Sequence, residues 1–292
     1  MIVVTGATGQ LGHMIVKQLL KRLPASQIGA SVRDPAKAQD LKSLGVRIRA
    51  GNFDDLKSLS HSFEGADQIL LVSSNASATG GDPVAQHRSA IAAARAAAVK
   101  RVVYTSHMGA NPTSDFPPMR DHAATEDMLQ ASGLEWTALR NGFYASSGIM
   151  LMGDGLKSGT FDAPADGKVS WTAHADLAEA AAITLSQPIG EDGPTPALTA
   201  SHSFDLSDMA AIAAELMGKP VLRNIVSDAY FSKMMVSRGV PSRALDIVIG
   251  LYRASQNGEF KLVDPALKQI LNRDPMTLRE ALAQKIDDLH NV

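Results

Sequence analysis

The chain has 292 residues, enough for one large α/β domain with a smaller lobe and a substantial buried core. Its formal net charge is −2 and no block of like charges occurs, which excludes nucleic acid and anionic membrane as expected main partners. It contains no cysteine, so disulfides, thiolate metal sites and thiol nucleophiles are excluded. No apolar run reaches the ~18 residues of a membrane span, and the N-terminus enters a strand without a basic leader; a soluble, cytoplasmic protein is expected.

The first predicted strand, Ile2–Thr5, runs into TGATGQLG, with Gly6, Gly9 and Gly12 at three-residue intervals, and then into a helix over 10–23. Strand, glycine loop and helix in that order suit a bound pyrophosphate: the backbone can approach closely, and the helix N-terminus offers free N–H groups and a positive dipole end. The second strand, Ile28–Val32, is followed by Arg33, 21 residues after Gly12, with Ser31 and Lys37 nearby. In dinucleotide-binding folds this location meets the adenosine ribose, and a planar guanidinium there suits a 2′-phosphate. The pattern favours NADPH over NADH. The plainer alternative is a surface arginine paired with Asp34.

Further strands are predicted over 46–50, 68–73, 101–106 and 135–140. Helices are predicted over 35–44, 54–63, 83–98 and 119–132. Strands alternating with helices require parallel pairing, and runs such as QILLVSS suit burial on both faces. The fold class is therefore α/β, a Rossmann-type doubly wound parallel sheet over residues 1–150. Residues 151–292 are expected to form a smaller, mainly helical substrate lobe, with some segments returning to the core. That second part contains a loop with Pro188, Gly190, Gly193, Pro194 and Pro196, and it closes on the amphipathic stretch TLREALAQKIDDL.

TGATGQLG, VRDPAKA after strand two, VSS closing strand four, YTS closing strand five and LRNGFY after strand six together resemble the NmrA-like, atypical branch of the short-chain dehydrogenase/reductase superfamily. Within it the chain is most similar to bacterial NAD(P)H:quinone oxidoreductases and triphenylmethane reductases. The resemblance implies that Gly6, Ala7, Thr8, Gly9, Gln10 and Leu11 cradle the pyrophosphate and Arg33 the 2′-phosphate. Asn52, where relatives commonly carry Asp, and Phe53 would border the adenine. Ser73, Ser74 and Asn75 would pass beside the nicotinamide ribose, and Arg140, Asn141, Gly142, Phe143 and Tyr144 would line the nicotinamide. His107, Met108, Phe143 and Tyr144 would form the substrate pocket, with His174 a weaker candidate for its wall.

The Tyr-x-x-x-Lys pair of that superfamily is absent: the segment reads HAATE, with His122 and Glu126 one helical turn apart, and Met108 stands where a lysine would follow Tyr104. Ordinary ketone chemistry is therefore disfavoured. Reduction of a quinone, an electron-poor acceptor that gains aromaticity, asks mainly for proximity to the nicotinamide. The implied activity is direct hydride transfer from NADPH, without flavin and without metal. His122 is the candidate catalytic residue, as a proton donor titrating near neutrality; alternatively it interacts with Glu126 on one helix face. Met108, Met119 and Met150 suit a tolerant pocket or plain core packing. His13, His61, His87, His202 and His290 are expected to face solvent. The alternative function is a non-catalytic NADP-binding redox sensor of NmrA type. An epimerase, or an enzyme like isoflavone reductase, shares the fold but lacks support in these residues. Monomer and homodimer both remain open.

Overall fold

The structure is a computed structural model, and it describes residues 1–187 and 192–290, the side chain of His290 excepted. Pro188 and Gly190 of the predicted loop, and the solvent-facing side chain expected of His290, lie outside the described residues.

The first half of the chain alternates β1 (Ile2–Thr5), α1 (Gln10–Leu19), β2 (Ile28–Val32), α2 (Gln39–Ser43), β3 (Arg47–Ala50), α3 (Leu56–Phe63), β4 (Gln68–Leu71), α4 (Pro83–Ala96), β5 (Arg101–His107), α5 (Pro117–Gln130) and β6 (Glu135–Asn141). The second half carries α6 (Ala145–Leu151), α7 (Gly155–Ser158), β7 (Thr160–Pro164), α8 (His174–Ser186), β8 (Gly193–Pro194), α9 (Leu206–Met217), β9 (Leu222–Val226), α10 (Asp228–Ser237), α11 (Ser242–Gln256), α12 (Ala266–Leu271) and α13 (Leu278–His290). The main sheet has the order β3-β2-β1-β4-β5-β6-β8, and every pairing in it is parallel. This is the doubly wound architecture expected from the alternation. The strand order reverses between β1 and β4, so the crevice for a ligand opens at their carboxyl ends. β1, β2 and β5 are buried along their whole length, as parallel strands covered by helices on both faces must be.

Local chemistry trims the predicted elements. Asp55 caps α3 by accepting from the amides of Lys57 and Ser58, which leaves Asp54 outside the helix. β4 ends two residues early because threonine hydroxyls of its neighbours take the next amides: Val72 N–H donates to Thr5 Oγ1 (2.9 Å) and Ser73 N–H to Thr105 Oγ1 (2.8 Å). The region predicted as one helix over 35–44 splits into a 3₁₀ turn, Pro35–Ala38, capped by Asp34, and the short α2.

Not anticipated were β8, which adds a seventh strand beside β6, and the two-stranded parallel sheet of β7 and β9. α8 packs along α1, and its Leu177, Ala178, Ala181 and Leu185 join Ile15 and Leu19 in one core cluster, to which α12 adds Leu267. A second cluster gathers Phe143, Trp171, Met209, Tyr252 and Phe260. The buried ion pair of Arg223 with Asp166 (2.5 Å) fastens β9 beside the start of α9, whose Leu206 amide donates to the same carboxylate (3.0 Å). Among the described residues no helix is long and apolar enough to cross a membrane.

Candidate active site

At the carboxyl end of β1 the three glycines have separate reasons. Gly6 has φ +58°, in the left-handed region that side chains disfavour. A Cβ on Gly12 would stand 2.4 Å from the Gly6 carbonyl oxygen, so only glycine lets α1 start this close to the strand. Gly9 is the N-cap of α1, and its amide donates back to Gly6 O (2.9 Å). The amides of Gln10, Leu11 and Gly12 that follow have no acceptor within the helix, and no acidic side chain occupies the first turn. The result is a concave set of N–H donors at the positive end of a helix dipole, open to an anion. Gly12→Ala is expected to cost about 1–3 kcal/mol of stability, the range for forcing atoms into a packed site. Thermal unfolding with and without NADPH checks this; a melt identical to wild type under both conditions would refute it.

Arg33 and Lys37 lie exposed just beyond β2. Asp34 spends its carboxylate on the Ala36 amide (3.0 Å) rather than on Arg33, which has neither ion pair nor hydrogen bond among the described residues. Ser31, by contrast, is buried against Ser62 (2.9 Å) and turns away from that surface. Asn52 is exposed, and its Oδ1 accepts from the Asp54 amide (3.2 Å) in a local turn. The half-buried Phe53 sets its ring edge-on to His87, with centroids 6.5 Å apart.

Beyond β4, Ser74 N–H donates to His87 Nε2 (2.8 Å). That fixes the tautomer: the proton sits on Nδ1, which donates to Thr125 Oγ1 (2.8 Å), and the Thr125 hydroxyl in turn donates to the Asp121 carbonyl (2.7 Å). His87 is therefore not a solvent-facing residue; it is 1% exposed, and burial pushes its pKa down to about 4. It lies on the buried stripe of α4 with Pro83, Ala90 and Ala94. Ser74 Oγ also donates to Gln86 Oε1 (2.5 Å), while Asn75 is exposed at the loop tip.

His122 and Glu126 share a helix face but not a bond. His122 Nδ1 lies 2.7 Å from the buried Tyr104 hydroxyl. Desolvation, reinforced by neighbouring His107 and His87, holds the His122 imidazole well below its ordinary range, and burial pushes the Tyr104 phenol far up. Both are neutral at pH 7, so an imidazolium proton donor near neutrality is not what this environment provides. Glu126 instead accepts from Ser106 Oγ (2.5 Å) and from both Nε (3.1 Å) and Nη2 (2.7 Å) of Arg140. The guanidinium of Arg140 is thereby committed to α5.

After β6, Gly142 is required by contact, since a Cβ there would meet Thr172 Oγ1 at 2.2 Å. Asn141 is 2% exposed, and its Oδ1 has no hydrogen-bond partner among the described residues. A buried amide oxygen in that state calls for a donor, and the carboxamide of a nicotinamide would supply one. Phe143 and His107 do not form the open pocket wall expected of them. Phe143 packs against His107 (5.0 Å between centroids), Phe116 (5.7 Å), Trp171 (5.5 Å) and Phe260 (5.1 Å). His107 accepts from Gly109 N–H (3.1 Å) through Nδ1, and burial pushes it down to about 3. The half-buried Met108 accepts from Ser170 Oγ through sulfur (3.3 Å), and Met119 is fully buried in the core. Tyr144, pushed up to about 12 by burial, stacks on His174 with centroids 4.0 Å apart. His61 and His202 are exposed as expected; His13 is half-buried, 3.4 Å from Asp40.

Two cavities open beside these groups. One, about 200 Å³, is lined by Ser73, Ser74, Tyr104, Asp121 and His122. The other, about 650 Å³, lies between the starts of α1 and α8, helix α6 and the C-terminal α13, and it touches the glycine loop at Gln10. Of the residues lining the larger cavity, Gln10, Met150 and His174 were singled out from sequence; the others, and Tyr104 and Thr125, were not identified as site residues. Tyr104 is flagged by its place in YTS, whereas the cavity is assembled from helices far apart in the chain. Among the described residues no cluster of His, Asp or Glu is arranged to hold a metal.

A glycine cradle at the switch point of a doubly wound sheet, a free arginine beyond the second strand and an orphaned amide oxygen at the end of the sixth define a dinucleotide-binding protein. Residues 6–188 match the model of the NAD(P)H-binding family, and the chain belongs to that family. It is 36% identical over 284 residues to quinone oxidoreductase 2 of Escherichia coli (strain K12), a match spanning 97% of this chain and 98% of that protein. Its structure is similar to that of the E. coli NADPH-dependent quinone oxidoreductase complexed with NADPH, with TM-score 0.90 and 34% identity over 100% of both chains. It is also similar to the Citrobacter sp. triphenylmethane reductase complexed with NADP(H), with TM-score 0.88 and 31% identity over 98% of this chain and 100% of that one.

Proposed function

We propose that this protein is an NADPH-dependent oxidoreductase that reduces quinones or similar conjugated, electron-poor acceptors by direct hydride transfer, without flavin. The likeness to a quinone oxidoreductase across the whole chain carries this reading. When bound, the cofactor supplies the hydride; the chain binds, orients and excludes water. The amides of Gln10, Leu11 and Gly12 hold the pyrophosphate, and Arg33 grips the 2′-phosphate from solvent. Asn141 Oδ1 accepts from the carboxamide and so sets the ring's orientation at the end of β6. Neutral Tyr104 and His122 offer hydrogen bonds beside Ser73 and Ser74 rather than a charged acid, and the proton needed by the reduced acceptor enters from water.

Arg33→Ala should weaken NADPH binding about 10–100-fold, the value of charge-assisted hydrogen bonds to a phosphate, and leave NADH within about twofold. Titration calorimetry with both nucleotides measures it, and equal losses for the two would remove the 2′-phosphate role. The activity itself is tested by following NADPH consumption with a panel of quinones. Tight NADPH binding without turnover on any acceptor would favour the redox-sensor alternative.

A further inference from the structure

The aromatic cluster around His107 and Phe143 is closed, which leaves open where an acceptor would sit. At about 200 Å³, the cavity beside Tyr104 and His122 falls below the ~300–1,000 Å³ common for small-molecule sites, whereas the one between α1, α6, α8 and α13, at about 650 Å³, falls within it. Its walls are Met14, Ile149, Leu156 and Met276, with Met150, 72% exposed, at the mouth. Gln10 ties it to the cradle, being the residue after the N-cap Gly9. Its α6 wall begins at Ala145, directly after the Asn141–Tyr144 stretch, and His174, stacked on Tyr144, forms the partition between the two.

We infer that this cavity is the acceptor site of the proposed reductase, and that it takes an uncharged, flat, fused-ring quinone. The inference rests on the quinone-reductase reading for its ligand class. Its chemistry follows from the lining. The charged residues are all exposed, and Lys157 and Lys285 are balanced by Asp154 and Asp288, so the cavity has no net charge to select an ionic ligand. Sulfur-containing, unbranched side chains on three sides adapt to rings of different outline and favour contact with π systems. Gln10 and His174 are the polar groups closest to the cradle side, and either can donate a hydrogen bond to a quinone oxygen.

The test separates binding from turnover. Protein saturated with NADP⁺ cannot transfer hydride, so binding of 2-methyl-1,4-naphthoquinone to that complex can be measured by calorimetry. Saturable binding is expected for the wild type. Filling the cavity with Ile149→Trp should weaken it about tenfold or more while NADP⁺ affinity stays within about twofold. Met276→Trp should do the same; Met276 is half-buried and precedes α13, so this variant carries the test if the first fails to fold. Unchanged naphthoquinone affinity in the folded variants, or no binding by the wild type, would overturn the assignment. A sulfonated naphthoquinone should bind no more tightly; tighter binding would overturn the uncharged-ligand claim. If the naphthoquinone binds as expected but NADPH is never consumed, the cavity is a quinone-binding site, the quinone-reductase reading fails, and the cavity's role as acceptor site is overturned with it. Consumption with unaltered affinity in both variants upholds that reading and overturns the cavity assignment.

Discussion

Lowering the pH from 7 to about 4.5 is expected to cost the folded protein about 5 kcal/mol through His87 and His107 alone. In the unfolded chain each imidazole takes a proton near pH 6.5. In the folded protein burial delays protonation to about 4 for His87 and about 3 for His107. Between those limits the unfolded state binds more protons, so stability is complete above about pH 6.5 and falls as the pH drops, by about 1.4 kcal/mol per pH unit and histidine. The surroundings offer little relief. His87 faces the Ser74 amide, the Thr125 hydroxyl and the rings of Phe53 and Tyr104, with only the more distant charge of Asp82 favouring protonation. His107 faces Phe143, Phe260, His122 and the Gly109 amide. Against a typical total of about 5–15 kcal/mol, this loss should appear as a large fall in the urea midpoint. His107→Phe removes one titrating group from an aromatic setting and should reduce the pH slope by about half of the two-histidine value. Stability that stays flat down to pH 4.5 would refute the account.

His87 also shows what a sequence can and cannot disclose. Pro83, His87, Ala90 and Ala94 recur at helical spacing, and that stripe places His87 inward. Read by residue type it looks like a surface group; read by period it is core. The parallel strands and the glycine loop were legible because their causes are local: runs of apolar residues, and glycines where backbone must approach backbone. The position of Arg33, exposed just beyond β2, was legible because the distance along a βαβ unit is nearly fixed. The walls of the site were not, because they come from contacts between distant segments. Phe260 closes the aromatic cluster on His107, α13 closes the large cavity on Gln10, and β8 reaches the sheet edge after α8. No spacing rule in one sequence links such pairs. Helical spacing correctly placed His122 and Glu126 on one face, yet their partners, Tyr104 and Arg140, lie on neighbouring strands and decide what each residue does.

Glu126→Ala is expected to destabilise the protein by about 3 kcal/mol, the lower end of the cost of removing one partner from a buried ion pair. The carboxylate is 9% exposed and ties three elements together: it lies on α5, accepts from Ser106 on β5 and receives two donors from Arg140 on β6. Its removal strands a guanidinium and a buried hydroxyl together. The guanidinium is 33% exposed, so water recovers part of its solvation, which sets the estimate at the lower end. Glu126→Gln keeps acceptor capacity for Ser106 and should lose less. Replacing both charges, with Glu126→Met and Arg140→Met together, should recover most of the loss, because no unpaired charge is left. Urea unfolding of the wild type, Glu126→Met, Arg140→Met and the double variant closes the cycle. A double variant as unstable as the sum of the singles would show that packing, not the ion pair, joins α5 to the sheet. The readout reaches function as well. Arg140 precedes Asn141, whose orphaned oxygen needs a fixed position at the end of β6, so Glu126→Ala should also weaken NADPH binding, and the double variant should restore it in step with stability.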